Sequence, residues 1–170
     1  CISSGAGGHT GELSPFAFIS AVREFFDGYI AVGGGISDGA GIAGAIAAGA
    51  DFVYMGTRFL AAKESMAPQE YKEMVVAATS EDLVVSAAIT GTKASWLRAS
   101  LQKAGLNPDS LGESIERNYT GVSGKKRWNG IWAAGQGVGR SRTIEPAAAI
   151  VDELEREYRV AVDRFKRVVA

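Results

Sequence analysis

Apolar runs along the chain are short and separated by glycine-rich breaks, the pattern of strands and helices joined by tight loops. Residues 1–4 read as the end of a buried strand. They run into Gly5-Ala6-Gly7-Gly8-His9-Thr10-Gly11, where four glycines in seven residues exclude a regular element. Ser14-Pro15 then offers an N-cap followed by proline at the first helical position. Phe16, Ile19, Val22 and Phe26 recur at helical spacing, and Asp27-Gly28 stops that helix. Tyr29-Ile30-Ala31-Val32 is apolar and bounded by glycine, as a buried parallel strand is. After Gly33-Gly34-Gly35 a helix is predicted from near Asp38 to Gly49, carrying Ile42 and Ile46. Its small face, Ala43, Gly44 and Ala47, suits close packing on a sheet. Phe52-Val53-Tyr54-Met55 reads as the next strand, closed by Gly56-Thr57. Strand, glycine loop, helix and strand make a βαβ unit, and the preceding loop and helix make it at least two.

The second half reads differently. A helix is predicted over 68–78, with Pro68 near its start, and Leu83-Val84-Val85 is a short β-branched run. Residues 94–104 read as a helix with Gly105 as its C-cap, which puts Trp96 on a helix as a packing residue. Residues 106–131 are polar and irregular. Trp132-Ala133-Ala134-Gly135-Gln136-Gly137-Val138-Gly139 is a further glycine loop. Residues 145–169 read as a long terminal helix with Ile150, Leu154, Tyr158, Val162 and Phe165 as its apolar positions. The organisation expected is therefore βα units over 1–65, a helical and loop insertion or lid over 66–131, and a glycine loop with the terminal helix over 132–170.

Composition narrows the classes. With 46% hydrophobic residues among 170, the chain has enough apolar mass for a core, unlike a disordered tail. A formal net charge of -1 argues against a nucleic-acid binder driven by bulk charge. One cysteine excludes an internal disulfide and fits a reducing cytoplasm. No window of about 20 consecutive strongly apolar residues predicts a membrane span. One His and one Cys do not make the usual metal clusters, so no metal site is expected. The unusual value is 22 glycines against 4 prolines, which implies many tight turns or close backbone approaches to a ligand.

A strand, a glycine turn and a helix in succession suit an anion, because the first N–H groups of a helix are free and its dipole adds positive potential. Two such loops, at 33–38 and at Gly56-Thr57, follow consecutive strands. In a parallel barrel they are neighbours on one face, where phosphate binds after strands seven and eight. Glycine-rich turns are also common in α/β proteins of every kind. Gly33-Gly34-Gly35 lies on no tidy dinucleotide fingerprint, and neither a Walker A loop nor a G-x-S-x-G nucleophile elbow is present. His9, the only histidine, sits in a glycine loop past a strand, where it is placed either to exchange a proton near neutral pH or to serve as an ordinary loop residue. Lys125-Lys126-Arg127 reads as a solvated loop or an anion contact, and Trp128 and Trp132 as covers of a flat ligand or as lid anchors.

Three motifs, taken in order, carry a resemblance. They are Ala6-Gly7-Gly8-His9-Thr10-Gly11, then Ile30-Ala31-Val32-Gly33-Gly34-Gly35-Ile36-Ser37-Asp38-Gly39, then Tyr54-Met55-Gly56-Thr57-Arg58-Phe59 with Lys63-Glu64-Ser65 behind it. Together with the Ala134-Gly135-Gln136 loop they closely resemble the nitronate monooxygenase family, formerly called 2-nitropropane dioxygenases. The resemblance implies an α/β chain forming the C-terminal part of an FMN-binding (β/α)8 TIM barrel, about its last three strands, plus a mostly helical C-terminal extension. It implies phosphate binding by Gly33, Gly34, Gly35, Gly56 and Thr57, flavin contacts from Gly7, Gly8, Gly135 and Gln136, and His9 as the base near the flavin.

The activity implied is oxidation of alkyl nitronates with dioxygen. Related flavin-dependent enoyl-acyl-carrier-protein reductases carry the same histidine loop, so reduction of an enoyl thioester by a nicotinamide donor is the alternative. A phosphate-ligand binding module without catalysis is the reading from a different class. The chain departs from the family at Gly5, where many members carry an acidic residue, and at Arg140-Ser141-Arg142, where aliphatic residues often follow. A whole (β/α)8 barrel needs about 250 residues. The expectation is that the N-terminal half of the barrel is absent from this chain and is completed by a second polypeptide. The remaining partners expected are a small nitronate or enoyl substrate and a further copy of the protein, with neither nucleic acid nor membrane.

Overall fold

The computed structural model describes residues 1–112 and 130–169. Lys125-Lys126-Arg127 and Trp128 lie outside the described residues. The chain begins with an extended stretch in which Ile2 forms a parallel bridge to Gly33. After the first glycine loop comes β1 (Gly8–His9), then α1 (Pro15–Arg23), capped by the Ser14 hydroxyl, which accepts from the Ala17 amide at 3.4 Å. β2 (Ala31–Gly33) and β3 (Phe52–Tyr54) pair in parallel, Val32 opposite Val53, around α2 (Gly39–Ala47). The opening stretch therefore lies beside β2 and β2 beside β3, so parallel neighbours follow chain order with a helix in each crossover. That is the order of a singly wound barrel wall.

One face of this wall packs on helices. Ile19 of α1, Ile30, Val32 and Ala45 of α2 form a core cluster, with Val22, Ile36 and Val53 against it. The other face carries Ala31, Phe52 and Tyr54, all exposed, although parallel strands are ordinarily covered on both sides. Arg23 and Asp51 pin the base of the wall. Their ion pair is 2.6 Å long, and the Asp51 carboxylate also accepts from the Ile30 amide at 2.8 Å. The amide of Ile30 first, and the Arg23 guanidinium after it, hold the Asp51 carboxyl below its ordinary range.

The small face of α2 does not lie on the sheet, as the spacing suggested. Ala45 faces the core, whereas Ala43, Gly44 and Ala47 line an apolar groove of about 680 Å³ shared with the last helix. The reason is that α2 turns Ala45 to the sheet, so Ala47 is left exposed and a Cβ on Gly44 would meet only the Phe16 ring, at 3.6 Å, while the close approach to α6 is made at Gly39.

Past β3 come α3 (Thr57–Leu60) and α4 (Gln69–Ala77), then β4 (Leu83–Ser86), β5 (Ala94–Leu97) and α5 (Arg98–Lys103). A 3₁₀ turn over Gln136–Arg140 leads to α6 (Ala147–Val169). The helix expected over residues 94–104 is corrected here: its first four residues are the strand β5, and only Arg98–Lys103 are helical. β4 and β5 pair antiparallel, and β5 also pairs antiparallel with β1, giving a three-stranded sheet in the order β1-β5-β4. Ala94-Ser95-Trp96-Leu97 is buried at every position, and a short run buried on both faces has no period by which to tell strand from helix. Trp96 is a packing residue, but on a strand. Among the described residues, no helix is long and apolar enough to cross a membrane.

Candidate active site

The glycine loops meet. Gly5, Gly7, His9, Gly33, Gly34, Gly35, Gly56, Thr57 and Gly135 all line one cleft of about 110 Å³ at the C-terminal ends of the parallel strands. Gly8 sits beside the cleft in β1, opposite Ser95. Gln136 lines a neighbouring cavity of about 410 Å³ with Gly5, Thr10 and Ser95. Trp132 is elsewhere, stacked on Tyr71 at 5.0 Å between ring centroids with the Lys103 ammonium over it. It therefore anchors the extension. Burial pushes the Tyr71 hydroxyl up, against the smaller opposing effect of the Ala133 amide, which donates to the hydroxyl oxygen at 3.3 Å.

Local sequence explains why the loops can share so small a volume. The Ser3 hydroxyl, fully buried, donates to the Gly33 carbonyl at 3.0 Å and fixes the start of the three-glycine turn. Gly34 there has φ +119, and a Cβ on it would lie 2.6 Å from the Ser3 Oγ, so only glycine serves. The His9 loop and the Gly135 loop touch through their backbones, and a Cβ on Gly7 would lie 2.7 Å from the Gly135 nitrogen. The Gln136 amide donates to the Gly5 carbonyl at 2.9 Å, and the Gly135 amide donates to the Thr57 hydroxyl at 2.9 Å. Thr57 is thus the polar link between the third loop and the other two. His9 is set by its strand: β5 holds β1, and the Thr10 amide donates to the Lys93 carbonyl at 3.1 Å.

The electrostatics suit an anion. No carboxylate lines the cleft, and His9 and Tyr54 are its only ionisable side chains among the described residues. Among those residues no acceptor pairs with the backbone amides of Gly34, Gly35 or Gly56. The space beyond the Gly56 Cα is open, with nothing within 4 Å of where a Cβ would be. The start of α2 is different from the free helix N-terminus expected after the turn. Asp38 accepts from the Gly41 amide at 2.7 Å, and Glu157 of α6 accepts from the Gly39 amide at 2.9 Å. Those amides are already satisfied by carboxylates, so the backbone donors left without an acceptor among the described residues lie in the turn ahead of the helix.

Two polar side chains outside the expected set also line the cleft. Tyr54 lines the cleft from β3, and Ser37 lines it from the loop before α2. Strand alternation offered a signal for Tyr54: Val53 joins the core, so Tyr54 points to the other face.

The next residues of the third motif fasten α6. Arg58, almost fully buried, pairs with Glu145 at 3.0 Å and with Glu153 at 2.5 Å. The Lys63 amide donates to the Glu145 carbonyl at 2.9 Å, and the Glu64 carboxylate accepts from the Ala147 amide at the start of α6. That amide is the main reason the Glu64 carboxyl is held below its ordinary range.

A family model described as nitronate monooxygenase matches residues 3–157, which include every one of these loops. The chain belongs to the nitronate monooxygenase family. Among relatives, a nitronate monooxygenase of Paraburkholderia phytofirmans is 29% identical over 95% of this chain and 49% of its own length. Among solved structures, FabK from Thermotoga maritima matches with a TM-score of 0.74 and 29% identity, over 97% of this chain and 56% of that one. A nitroalkane oxidase from Streptomyces ansochromogenes matches with a TM-score of 0.76 and 26% identity, over 96% of this chain and 52% of that one. These neighbours are TIM-barrel proteins, and the α/β wall described above is part of such a barrel, with a C-terminal helix. The chain spans about half the length of the curated relatives it matches.

Proposed function

We propose that this chain forms the phosphate-binding half of an FMN-dependent oxidoreductase that oxidises alkyl nitronates with dioxygen, with His9 as the base. The observation that carries the reading is the meeting of His9 with three glycine loops in a cleft that has free amides and no carboxylate. Gly33, Gly34, Gly35, Gly56 and Thr57 would hold the FMN phosphate, and Gly7, Gly8, Gly135 and Gln136 would lie along the flavin. The flavin supplies the electron-accepting chemistry when bound. The chain's own task is to orient the substrate and move a proton. For a neutral nitroalkane, the His9 imidazole, on the rim of the cleft, is in place to take the proton from the carbon alpha to the nitro group, which leaves the nitronate that is then oxidised.

The exposed Phe52 and Tyr54 on the inner face of the wall fit a further proposal, that the rest of the barrel is supplied by additional polypeptide packed against them. The reading also assigns the cytoplasm, in keeping with a single cysteine. A second reading, nicotinamide-dependent reduction of an enoyl thioester, is kept by the equally good fold match to FabK.

Anaerobic mixing of the flavin-loaded protein with each reductant separates the two. Bleaching of the flavin by an alkyl nitronate, with none by NADH or NADPH, is expected. Rapid bleaching by a nicotinamide donor alone would transfer the assignment to the reductase.

A further inference from the structure

We infer that Glu157 is a positioning residue that holds two of the cleft's loops in register for the flavin phosphate. It lies on α6, outside the cleft, and its two carboxylate oxygens serve different loops. One accepts from the Gly39 amide at 2.9 Å, two residues past Ser37 at the end of the three-glycine loop. The other accepts from the Arg140 guanidinium, at the end of the 3₁₀ turn that begins after Gly135. Arg140 also lies 3.7 Å from Asp38, whose other oxygen caps the Gly41 amide. The two loops are pressed together where these bonds converge, since a Cβ on Gly137 would overlap Ser37. At the same place α6 rests on α2 backbone to backbone, and a Cβ on Gly39 would overlap the Tyr158 amide. The carboxylate is therefore held at fixed height over α2 and has little freedom to leave.

Charge-assisted hydrogen bonds are the strong ones, and Gly39 is buried, so losing the acceptor leaves a buried amide unpaired. The inference rests on reading the cleft as a flavin phosphate site.

The test compares FMN with riboflavin, which lacks the phosphate. Binding of each to the complete protein is followed by quenching of flavin fluorescence, well below the melting temperature. Glu157→Ala is expected to weaken FMN roughly tenfold, with a much smaller effect on riboflavin. Arg140→Gln should shift FMN in the same direction, and Glu155→Gln, on the exposed face of α6, should leave it unchanged. Glu157→Gln keeps an acceptor for Gly39 but loses the charge facing Arg140, and serves if the alanine variant does not fold. It should weaken FMN severalfold. Lowered melting temperature with an unchanged preference for FMN over riboflavin would overturn the inference, as would tighter FMN binding, which would make Glu157 a competitor of the phosphate. Failure of the unaltered protein to bind either flavin would instead overturn the reading of the cleft itself.

Discussion

His9 sits at the rim of the cleft because its backbone is clamped between β5 and the Gly135 loop, and it is the only imidazole in the chain. Its proposed work is proton transfer, so His9→Ala is expected to lower turnover of a neutral nitroalkane by about 10²–10⁴-fold, with a much smaller effect on the preformed nitronate, while flavin content stays near that of the unaltered protein. Steady-state rates normalised to bound flavin check this. Unchanged turnover would remove the catalytic role of His9. A different residue contributes to acid stability. The Asp51 carboxyl is held low in the folded chain, first by the Ile30 amide and then by Arg23. A depressed folded value means that its contribution is present above the ordinary carboxylate range and is lost as pH falls through the folded value. Stability measured by urea unfolding should therefore drop on acidification, and Asp51→Asn should flatten that limb of the profile.

At the scale of elements, α6 does more than close the chain. Its buried Ile150 and Leu154 pack with Ala62, and Ile42, Met55 and Phe59 lie against them. Ile150→Ala should cost about 3 kcal/mol, read as a shift in the urea midpoint at constant slope. The parallel wall and its loops were legible because their signals are local. Ser14 and Asp38 are N-caps, Gly49 has the positive φ of a helix stop, and Gly33-Gly34-Gly35 interrupts an apolar run. β5 was not legible, because the burial of its four residues comes from contacts with β1, β4 and the Ile131–Ala134 stretch. The capping of α2 by Glu157 was equally invisible, since the two partners are 118 residues apart in sequence. Local pattern thus located the loops that line the cleft but not the elements that hold them, and it missed that carboxylates already occupy the first amides of α2.

For the molecule as a whole, the wall leaves one face uncovered and the chain spans about half of its relatives' length. Both facts suit the proposal of further polypeptide over Phe52 and Tyr54, in whose presence the flavin ring would be enclosed. The central claim, however, is narrower and concerns the cleft: its glycine amides bind the phosphate of FMN. The most direct measurement is a titration of the complete protein with FMN, followed by flavin absorbance and fluorescence, with inorganic phosphate as competitor. The account predicts saturable binding with one FMN per cleft, weakened by phosphate. Absence of binding, or binding of riboflavin as tight as that of FMN and indifferent to phosphate, would contradict it.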